Sequence, residues 1–239
     1  MFKKSLIVLL ATVAFFTSAS FSATEVLPKQ LIALSSSVGN KLFTRSYSPS
    51  YFWPLELQFT TQENLAYCSI ASSVMVLNAL DVPAPVFSTH GPFKMFTQDN
   101  FFTPAVEKII PTSLVTKQGS TLDQISQALA TFPISVSTTH ADKITVNQFR
   151  TLAKKTIATN SGYIIINFLR TTLGEQGMGH ISPLVAYDSK SDRFLMLDVA
   201  RYRYPPVWVK TQDLWNAMHT TDADAHAYRG FLIVSKKRR

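Results

Sequence analysis

The chain has 239 residues, of which 46% are hydrophobic and 16% are charged. A chain of this length and composition can bury a sizeable core, so we expect one domain of about two hundred residues and exclude a disordered protein. The formal charge of +8 falls to +6 without Lys3 and Lys4, and to +2 without the basic run at residues 236–239. Because so little positive charge belongs to the body of the chain, we expect no nucleic-acid partner.

The first residues have the pattern of an export signal. Lys3 and Lys4 precede an apolar run at residues 6–16, and small residues follow at 17–23. The run is short for a bilayer-spanning helix, so we predict that residues 1–23 are a signal peptide, cleaved somewhere between Ala19 and Ala23. We therefore expect an exported protein, periplasmic or secreted, whose residues 24–239 form one domain without a transmembrane segment. The basic C-terminal tail is most simply solvated, and contact with an anionic membrane surface is the alternative.

The hydrophobic pattern predicts helices in the first part of the chain and strands in the second. Residues 24–58 lack a clear period, and we expect an N-terminal arm packed on the domain. Ile70, Val74 and Leu77 recur at helical spacing, and a break at residues 81–83 ends this helix. Further helices are predicted at residues 104–110, 120–132, 146–159 and 212–219. Strands are predicted at residues 163–169, 181–187, 193–198, 207–209 and 230–234. This order favours an α+β domain with two lobes and an antiparallel sheet.

Cys68, the only cysteine, lies in the first turn of the predicted helix. The unpaired backbone N–H groups and the positive end of the helix dipole favour a thiolate there, as a nucleophilic cysteine requires. Gln62, six residues earlier, could donate its side-chain amide to an oxyanion beside the Cys68 N–H. The alternative is that Cys68 is a small buried hydrophobic residue. An unpaired thiol in an exported protein is otherwise reactive or a site of dimer formation.

His180 is the best candidate for the base that a nucleophilic thiol needs, and Asp198 for the group that orients it. His180 lies at the mouth of one predicted strand, after a flexible approach at residues 177–179, and Asp198 ends the partner strand. A regular hairpin places Asp198 opposite Pro183, on a different face from His180, so the hypothesis requires a bulge, which we expect at Pro183. Without the bulge, His180 is equally well read as a strand-end histidine. The other histidines are expected at the surface: His90, His140, His219 and His226.

Four segments of the sequence resemble, in order, the catalytic domain of phytochelatin synthases. They are residues 62–80 (QENLAYCSIASSVMVLNAL), 96–102 (FTQDNFF), 179–183 (GHISP) and 197–209 (LDVARYRYPPVWV). The resemblance spans about Leu42 to Val234. Gln, then Cys at a helix start, then His and a carboxylate on a later hairpin is also the order found in papain-like cysteine enzymes.

This resemblance implies a papain-like two-lobed fold, with Cys68 on the helical lobe and His180 and Asp198 on the sheet lobe. It implies cleavage of glutathione at its Cys–Gly bond, a γ-glutamylcysteinyl thioester on Cys68, and transfer of the acyl group to glutathione or to a growing phytochelatin. Gln62 would complete the oxyanion hole. By the same match, the γ-glutamylcysteinyl group would be bound by Asn167, Arg170, Gly179, Asp222 and Arg229. Surface ion pairs are the alternative for the charged members of this set.

Two departures from the family pattern bear on the site. Ser69 replaces the glycine that commonly follows the family's cysteine, and we expect its side chain to narrow access to the thiol. The sequence has no counterpart of the Cys-rich C-terminal region of eukaryotic members. We expect no organic cofactor and no protein-bound metal site, because the histidines lack ligand spacing. Cadmium, copper or zinc would instead enter as thiolate complexes of glutathione.

Three other functions stay open at this point. A glutathione hydrolase would use the same residues but pass the thioester to water. A general papain-like peptidase would act on proteins in an open groove. A non-catalytic binder of thiol peptides or metal complexes would need the cleft alone. A homodimer is implied only by the resemblance.

Overall fold

The computed structural model of the chain describes residues 25–86, 89 and 91–237. The predicted signal peptide and His90 lie outside these residues, so export stays a prediction. Within the described ranges, no helix has both the length and the apolar character that crossing a bilayer requires.

The helices lie mainly in the first two thirds of the chain. They are α1 (Ser37–Ser46), α2 (Pro49–Glu56), α3 (Cys68–Ala79), α4 (Pro104–Glu107), α5 (Thr112–Gln118), α6 (Leu122–Leu129), α7 (Val146–Thr159) and α8 (Thr211–Met218). Capping boxes begin two of them: Thr121 with Gln124 at α6, and Thr145 with Gln148 at α7. These caps explain why the predicted starts of α6 and α7 are close to the observed ones.

The strands form one large antiparallel sheet and a short hairpin. They are β1 (Ile32–Ala33), β2 (Ile134–His140), β3 (Tyr163–Leu169), β4 (Gly179–Asp188), β5 (Arg193–Met196), β6 (Val207–Lys210), β7 (Thr221–Asp222), β8 (Ala227–Tyr228) and β9 (Gly230–Lys236). The large sheet has the order β1-β6-β5-β4-β3-β9-β2, and β7 pairs with β8. Every pairing is antiparallel. The predicted α+β class with an antiparallel sheet is therefore confirmed.

Several elements were not expected from the sequence. The region interpreted as an irregular arm contains β1, α1 and α2, and α5 and β2 were also missed. In α1 only Gly39 and Leu42 are buried, and in α2 Pro54 lies inside the helix, so neither segment has a strong apolar period. The prediction that Asp198 lies within a strand is wrong, because β5 ends at Met196.

The β4–β5 hairpin contains the bulge that the site requires, although at a different position. Asp188 pairs with Arg193 and Ala186 with Leu195, but Leu184 then pairs with Met196, so Val185 is the extra residue. The Leu197 N–H donates to the Pro183 carbonyl at 3.0 Å, which continues the shifted register. Asp198 therefore follows on the same side of the sheet as Ser182 and His180. The prediction of a bulge is confirmed, and its placement at Pro183 is wrong.

Helix α3 is buried over nearly its whole length and is fixed to the centre of the sheet. Its serines are buried as completely as its apolar residues. Ser72 donates its hydroxyl to the Ile181 carbonyl on β4 at 3.1 Å. Because Ile181 follows His180, this bond holds the start of α3 beside the mouth of β4.

Candidate active site

Cys68 lies in the first turn of α3, as predicted, and the N-cap residue Tyr67 makes no capping hydrogen bond with its side chain. Tyr67 precedes it with non-helical backbone angles, φ −90° and ψ 20°. The first backbone N–H groups of α3 thus receive no acceptor from a capping side chain and are available to an anion at the thiol.

His180 and Asp198 form a buried hydrogen-bonded pair. The His180 Nε2 lies 2.8 Å from Asp198 Oδ1. His180 is 5% exposed and Asp198 is fully buried, and the His180 ring packs edge-on against Phe168 with centroids 5.6 Å apart. With Nε2 engaged by the carboxylate, Nδ1 is the ring nitrogen that remains for the thiol, whose pKa His180 lowers.

Asp198 is held in place by two further donors. The Ala200 N–H donates to Asp198 Oδ1 at 2.8 Å, and Arg170 Nη2 donates to the same oxygen at 2.9 Å. Arg170 Nη2 also lies 2.8 Å from Oδ2, as an ion pair without hydrogen-bond geometry. Burial alone would raise the pKa of Asp198, but His180, Arg170 and the Ala200 N–H together lower it to about 2. Asp198 is therefore an anion across the physiological range.

The thiol and the imidazole stabilise each other's charged form. Burial alone would raise the pKa of Cys68, yet the charge and hydrogen bond of His180, the Ile181 N–H and the Arg170 charge together lower it. Burial alone would lower the pKa of His180, and Arg170 acts in the same direction, but Asp198 and Cys68 together raise it. The two directions describe a thiolate–imidazolium pair, the reactive form of a cysteine nucleophile.

Gln62 is held beside the His180–Asp198 pair through the backbone. Its N–H donates to the Val199 carbonyl at 3.0 Å, and its Nε2 donates to the Asn64 carbonyl at 2.6 Å. The second N–H of Nε2 is left for another acceptor. Gln98, which the sequence reasoning missed, fixes this segment by accepting from the Glu63 N–H at 3.0 Å and donating to the Thr61 carbonyl at 2.9 Å.

Three of the expected substrate-binding residues, Gly179, Asp222 and Arg229, lie together where the inner strands β4 and β9 begin. Asn167 near the end of β3 pairs with Ile181 of β4 and with Gly230 of β9. A Cβ atom at Gly179 would lie 3.1 Å from Arg229 Nη2, so the guanidinium lies directly against the residue before His180. Arg229 is also 3.7 Å from Asp222, and its buried Nε–H has no hydrogen-bond partner among the described residues.

Comparison with known proteins identifies the family. The family model described as phytochelatin synthase matches residues 22–231. The chain belongs to the phytochelatin synthase family. It is 32% identical over 219 residues to glutathione gamma-glutamylcysteinyltransferase 3 of Lotus japonicus, covering 90% of this chain and 44% of the plant protein. It is 27% identical over 211 residues to glutathione gamma-glutamylcysteinyltransferase of Schizosaccharomyces pombe, covering 87% of this chain and 50% of the yeast protein. The chain thus spans half or less of the length of these relatives.

The structural likeness to cysteine proteases is loose. Xylellain, a cysteine protease from Xylella fastidiosa, matches with a TM-score of 0.41 and 11% identity, covering 91% of this chain and 90% of xylellain. At that score the similarity supports no conclusion about activity.

Ser69, the departure from the phytochelatin synthase pattern, does not narrow the approach to the thiol. Its side chain is fully buried, and the Ser120 hydroxyl donates to Ser69 Oγ at 2.7 Å. The expectation of restricted access is therefore wrong, because the hydroxyl belongs to the packing between α3 and the segment before α6.

Arg170 is buried and bound by residues of the protein itself, whereas the resemblance implied that it binds the substrate. It is 2% exposed, and its guanidinium binds Asp198 on one side and Glu175 on the other, with Nη1 2.5 Å from Glu175 Oε2. We correct the expectation accordingly: Arg170 contacts the carboxylate behind His180. Glu175 was missed because nothing in its local sequence distinguishes it from a loop residue.

Among the remaining histidines in the described residues, His140 and His219 have partners away from the thiol, and His226 is exposed. His140 Nε2 lies 3.0 Å from Asp123 Oδ1, and the His219 ring stacks on Trp215 at 4.4 Å. His226 has a positive φ of 51°. Among the described residues, no three His, Cys, Asp or Glu side chains are grouped as metal ligands would be.

Proposed function

We propose that this protein is a glutathione γ-glutamylcysteinyltransferase, a phytochelatin synthase acting through a thioester on Cys68. The observation that carries the proposal is the buried Asp198–His180 pair beside Cys68 at the start of α3. Membership of the family, and the names of its relatives as glutathione gamma-glutamylcysteinyltransferases, indicate the substrate. A non-catalytic binder needs no such thiolate–imidazolium pair.

In the first half-reaction, the Cys68 thiolate attacks the carbonyl carbon of the Cys–Gly peptide bond of glutathione. The tetrahedral oxyanion accepts hydrogen bonds from the Cys68 N–H and from the unused N–H of Gln62. The C–N bond then breaks as His180 gives its proton to the departing amine, so that glycine leaves and the γ-glutamylcysteinyl thioester remains.

In the second half-reaction, the α-amine of another glutathione attacks the thioester. His180, now neutral, takes the proton from this amine, and the Cys68 thiolate leaves. The product is a peptide longer by one γ-glutamylcysteinyl unit. Water in place of the amine gives γ-glutamylcysteine, which is the hydrolase reaction.

The residues at the start of β4 and β9, beside His180, fit the γ-glutamyl group, which carries one ammonium and one carboxylate. Arg229 offers its unused Nε–H to a carboxylate, and Asp222 offers an acceptor to an ammonium. A side chain at Gly179 would press on this guanidinium, since its Cβ would lie 3.1 Å from Arg229 Nη2. The family match assigns Asn167, which pairs with Ile181 of β4 and Gly230 of β9, to the γ-glutamyl group as well.

Heavy-metal ions enter this proposal as part of the substrate. Glutathione thiolates bind cadmium, copper(I) and zinc, and the bis-thiolate complex presents a second glutathione as acceptor. We propose that added metal raises polymer formation through this complex.

The test is incubation of residues 24–239 with glutathione, with and without cadmium, with products identified by mass spectrometry. We expect γ-glutamylcysteine oligomers ending in glycine, more of them with cadmium, and none from Cys68→Ala. Formation of only γ-glutamylcysteine and glycine would show a hydrolase. Turnover that survives Cys68→Ala would rule out every covalent mechanism.

We also propose that the enzyme acts outside the cytoplasm, on the basis of the sequence of residues 1–23. Fused to a reporter that is active only after export, these residues should give signal, and replacing Lys3 and Lys4 by Glu should reduce it. A reporter that stays inactive would contradict export.

A further inference from the structure

Glu175 is a buried carboxylate that the reaction above does not use. It is 3% exposed, and its Oε2 lies 2.5 Å from Arg170 Nη1. Its backbone N–H also donates to the Arg170 carbonyl at 3.1 Å. Its other oxygen, Oε1, has no hydrogen-bond partner among the described residues. Such a group is costly to bury unless its charge serves a partner, and here that partner is Arg170.

Arg170 is fixed between two carboxylates. Besides Glu175 it contacts Asp198, and its guanidinium carbon lies 5.1 Å from the ring centre of Tyr204. Its N–H donates to the Met178 carbonyl at 3.1 Å, which closes the loop of residues 170–178 that leads into His180. A Cβ atom at Gly177 would lie 3.2 Å from Arg170 Cδ, so the Arg170 side chain packs against this glycine.

Negative and positive charges alternate through a series of neighbouring residues: Glu175, Arg170, Asp198, His180 and Cys68. A lone Arg170 would oppose protonation of the imidazole, since its charge lowers the pKa of His180. A carboxylate on the far side of Arg170 offsets part of that charge.

Other charged groups surround this series. Burial raises the pKa of Glu175, Arg170 opposes that rise, Asp198 adds to it, and the charge of His180 opposes it. By reciprocity, an ionised Glu175 favours the imidazolium. Tyr202 and Arg203, in the segment between β5 and β6, also face the site. Tyr202 interacts with Arg170, Asp198 and Cys68, and Arg203 lies against Gly177.

We propose that Glu175 is a positioning residue: it holds Arg170 against Asp198 and offsets the Arg170 charge, so that His180 stays protonated beside the Cys68 thiolate. The inference rests on the proposed function for the role of His180. Its test reads the thiol itself and does not depend on which substrate the enzyme uses.

The experiment measures the rate of Cys68 alkylation by iodoacetamide as a function of pH in the wild-type chain and in Glu175→Gln. Since Cys68 is the only cysteine, the reaction reports this thiol alone. Glutamine keeps an oxygen for Arg170 but removes the charge. We expect the midpoints for thiolate formation and for imidazolium deprotonation both to shift to lower pH, by about half a unit to one unit. Asp142→Asn, which removes a carboxylate from a surface pair with Lys143, is the control and should shift neither.

The activity assay separates positioning from substrate contact. In Glu175→Gln, kcat for glutathione should fall about ten-fold with little change in KM. Unchanged midpoints, or a raised KM with unchanged midpoints, would overturn the proposal. If Glu175→Gln does not fold, Glu175→Asp serves in its place, because it moves the charge away from Arg170 by one methylene. It should shift both midpoints in the same direction by a smaller amount. No shift in Glu175→Asp would also overturn the proposal. If Glu175→Gln shifts the midpoints but the wild-type chain does not turn over glutathione, the proposed function is refuted and the role of Glu175 is not.

Discussion

At the scale of single residues, Asp198 determines the charge state of the site. It binds His180 Nε2 at 2.8 Å and keeps the imidazolium stable beside the thiol. In Asp198→Asn the shape is nearly kept but the charge is lost, so the pKa of His180 should fall and the thiolate–imidazolium pair should exist over a narrower range of pH. We expect kcat/KM for glutathione to drop at least about a hundred-fold, with slower alkylation of Cys68 at neutral pH.

The check is a pH–rate profile beside the Asp142→Asn control. In the wild-type chain the rate should be constant over the pH range between the low pKa of the thiol and the high pKa of the imidazole. In Asp198→Asn this range should narrow or vanish. A profile of unchanged shape with only reduced amplitude would mean that Asp198 acts by packing and not by charge.

The sequence predicted some residues of this site and not others, for a physical reason. Cys68 and His180 lie next to local signals, a helix start and the mouth of a strand. The position of Arg170 depends on contacts between a loop and the segment after β5, which no local pattern encodes. The family match therefore suggested that Arg170 binds the substrate, whereas its carboxylate partners, Asp198 and Glu175, are inside the protein.

At the scale of elements, the β4–β5 bulge brings His180 and Asp198 together. The need for one extra residue followed from the period of two along a strand and the chain length between the two groups. The position of the bulge did not follow from this period, because Pro183 is accommodated without one. Pro183 pairs with Ile165, and its carbonyl accepts the Leu197 N–H. The bulge falls at Val185.

The turn of the same hairpin is joined to α1 through Asp188. Its carboxylate accepts from Arg45 Nε at 2.7 Å and from the Ser46 hydroxyl at 2.7 Å, as well as from Ser191. The hydrogen bond from Arg45, opposed by burial and assisted by Ser191 and Ser46, lowers the pKa of Asp188. We expect Asp188→Asn to reduce the free energy of unfolding by about 2–3 kcal/mol at neutral pH.

The pH dependence has a defined sign. Because the folded-state pKa is depressed, the stabilisation is complete above the unfolded value of about 4 and is lost as the pH falls through the folded value. The difference between wild type and Asp188→Asn, measured by denaturant unfolding, should therefore shrink as the pH falls below about 4. A difference that stays constant down to strongly acidic pH would show that the carboxylate charge is not responsible.

At the scale of the whole molecule, the segment before α1 connects the far edge of the sheet with the active-site loop. β1 pairs with β6, and the Gln30 side chain donates to the Leu173 carbonyl within the 170–178 loop at 2.6 Å. Arg193 donates back to the Gln30 carbonyl at 3.0 Å. The sequence could not predict this edge, because a two-residue strand has no period and its partner lies near the other end of the chain.

Removing this segment should affect both stability and catalysis. A chain without residues 24–34 loses the burial of Leu31, the β1–β6 pairing and the Gln30 bonds, for which we expect about 3–5 kcal/mol less unfolding free energy. Because Leu173 belongs to the loop that carries Arg170 and Glu175, kcat should also fall in the fraction that remains folded. The matched control lacks only residues 24–26, where Val26 is 92% exposed, and should retain most of the stability and activity. Denaturant unfolding and the glutathione assay measure the two effects separately. Full activity per folded molecule in the longer deletion would show that the 170–178 loop keeps its shape without the N-terminal segment.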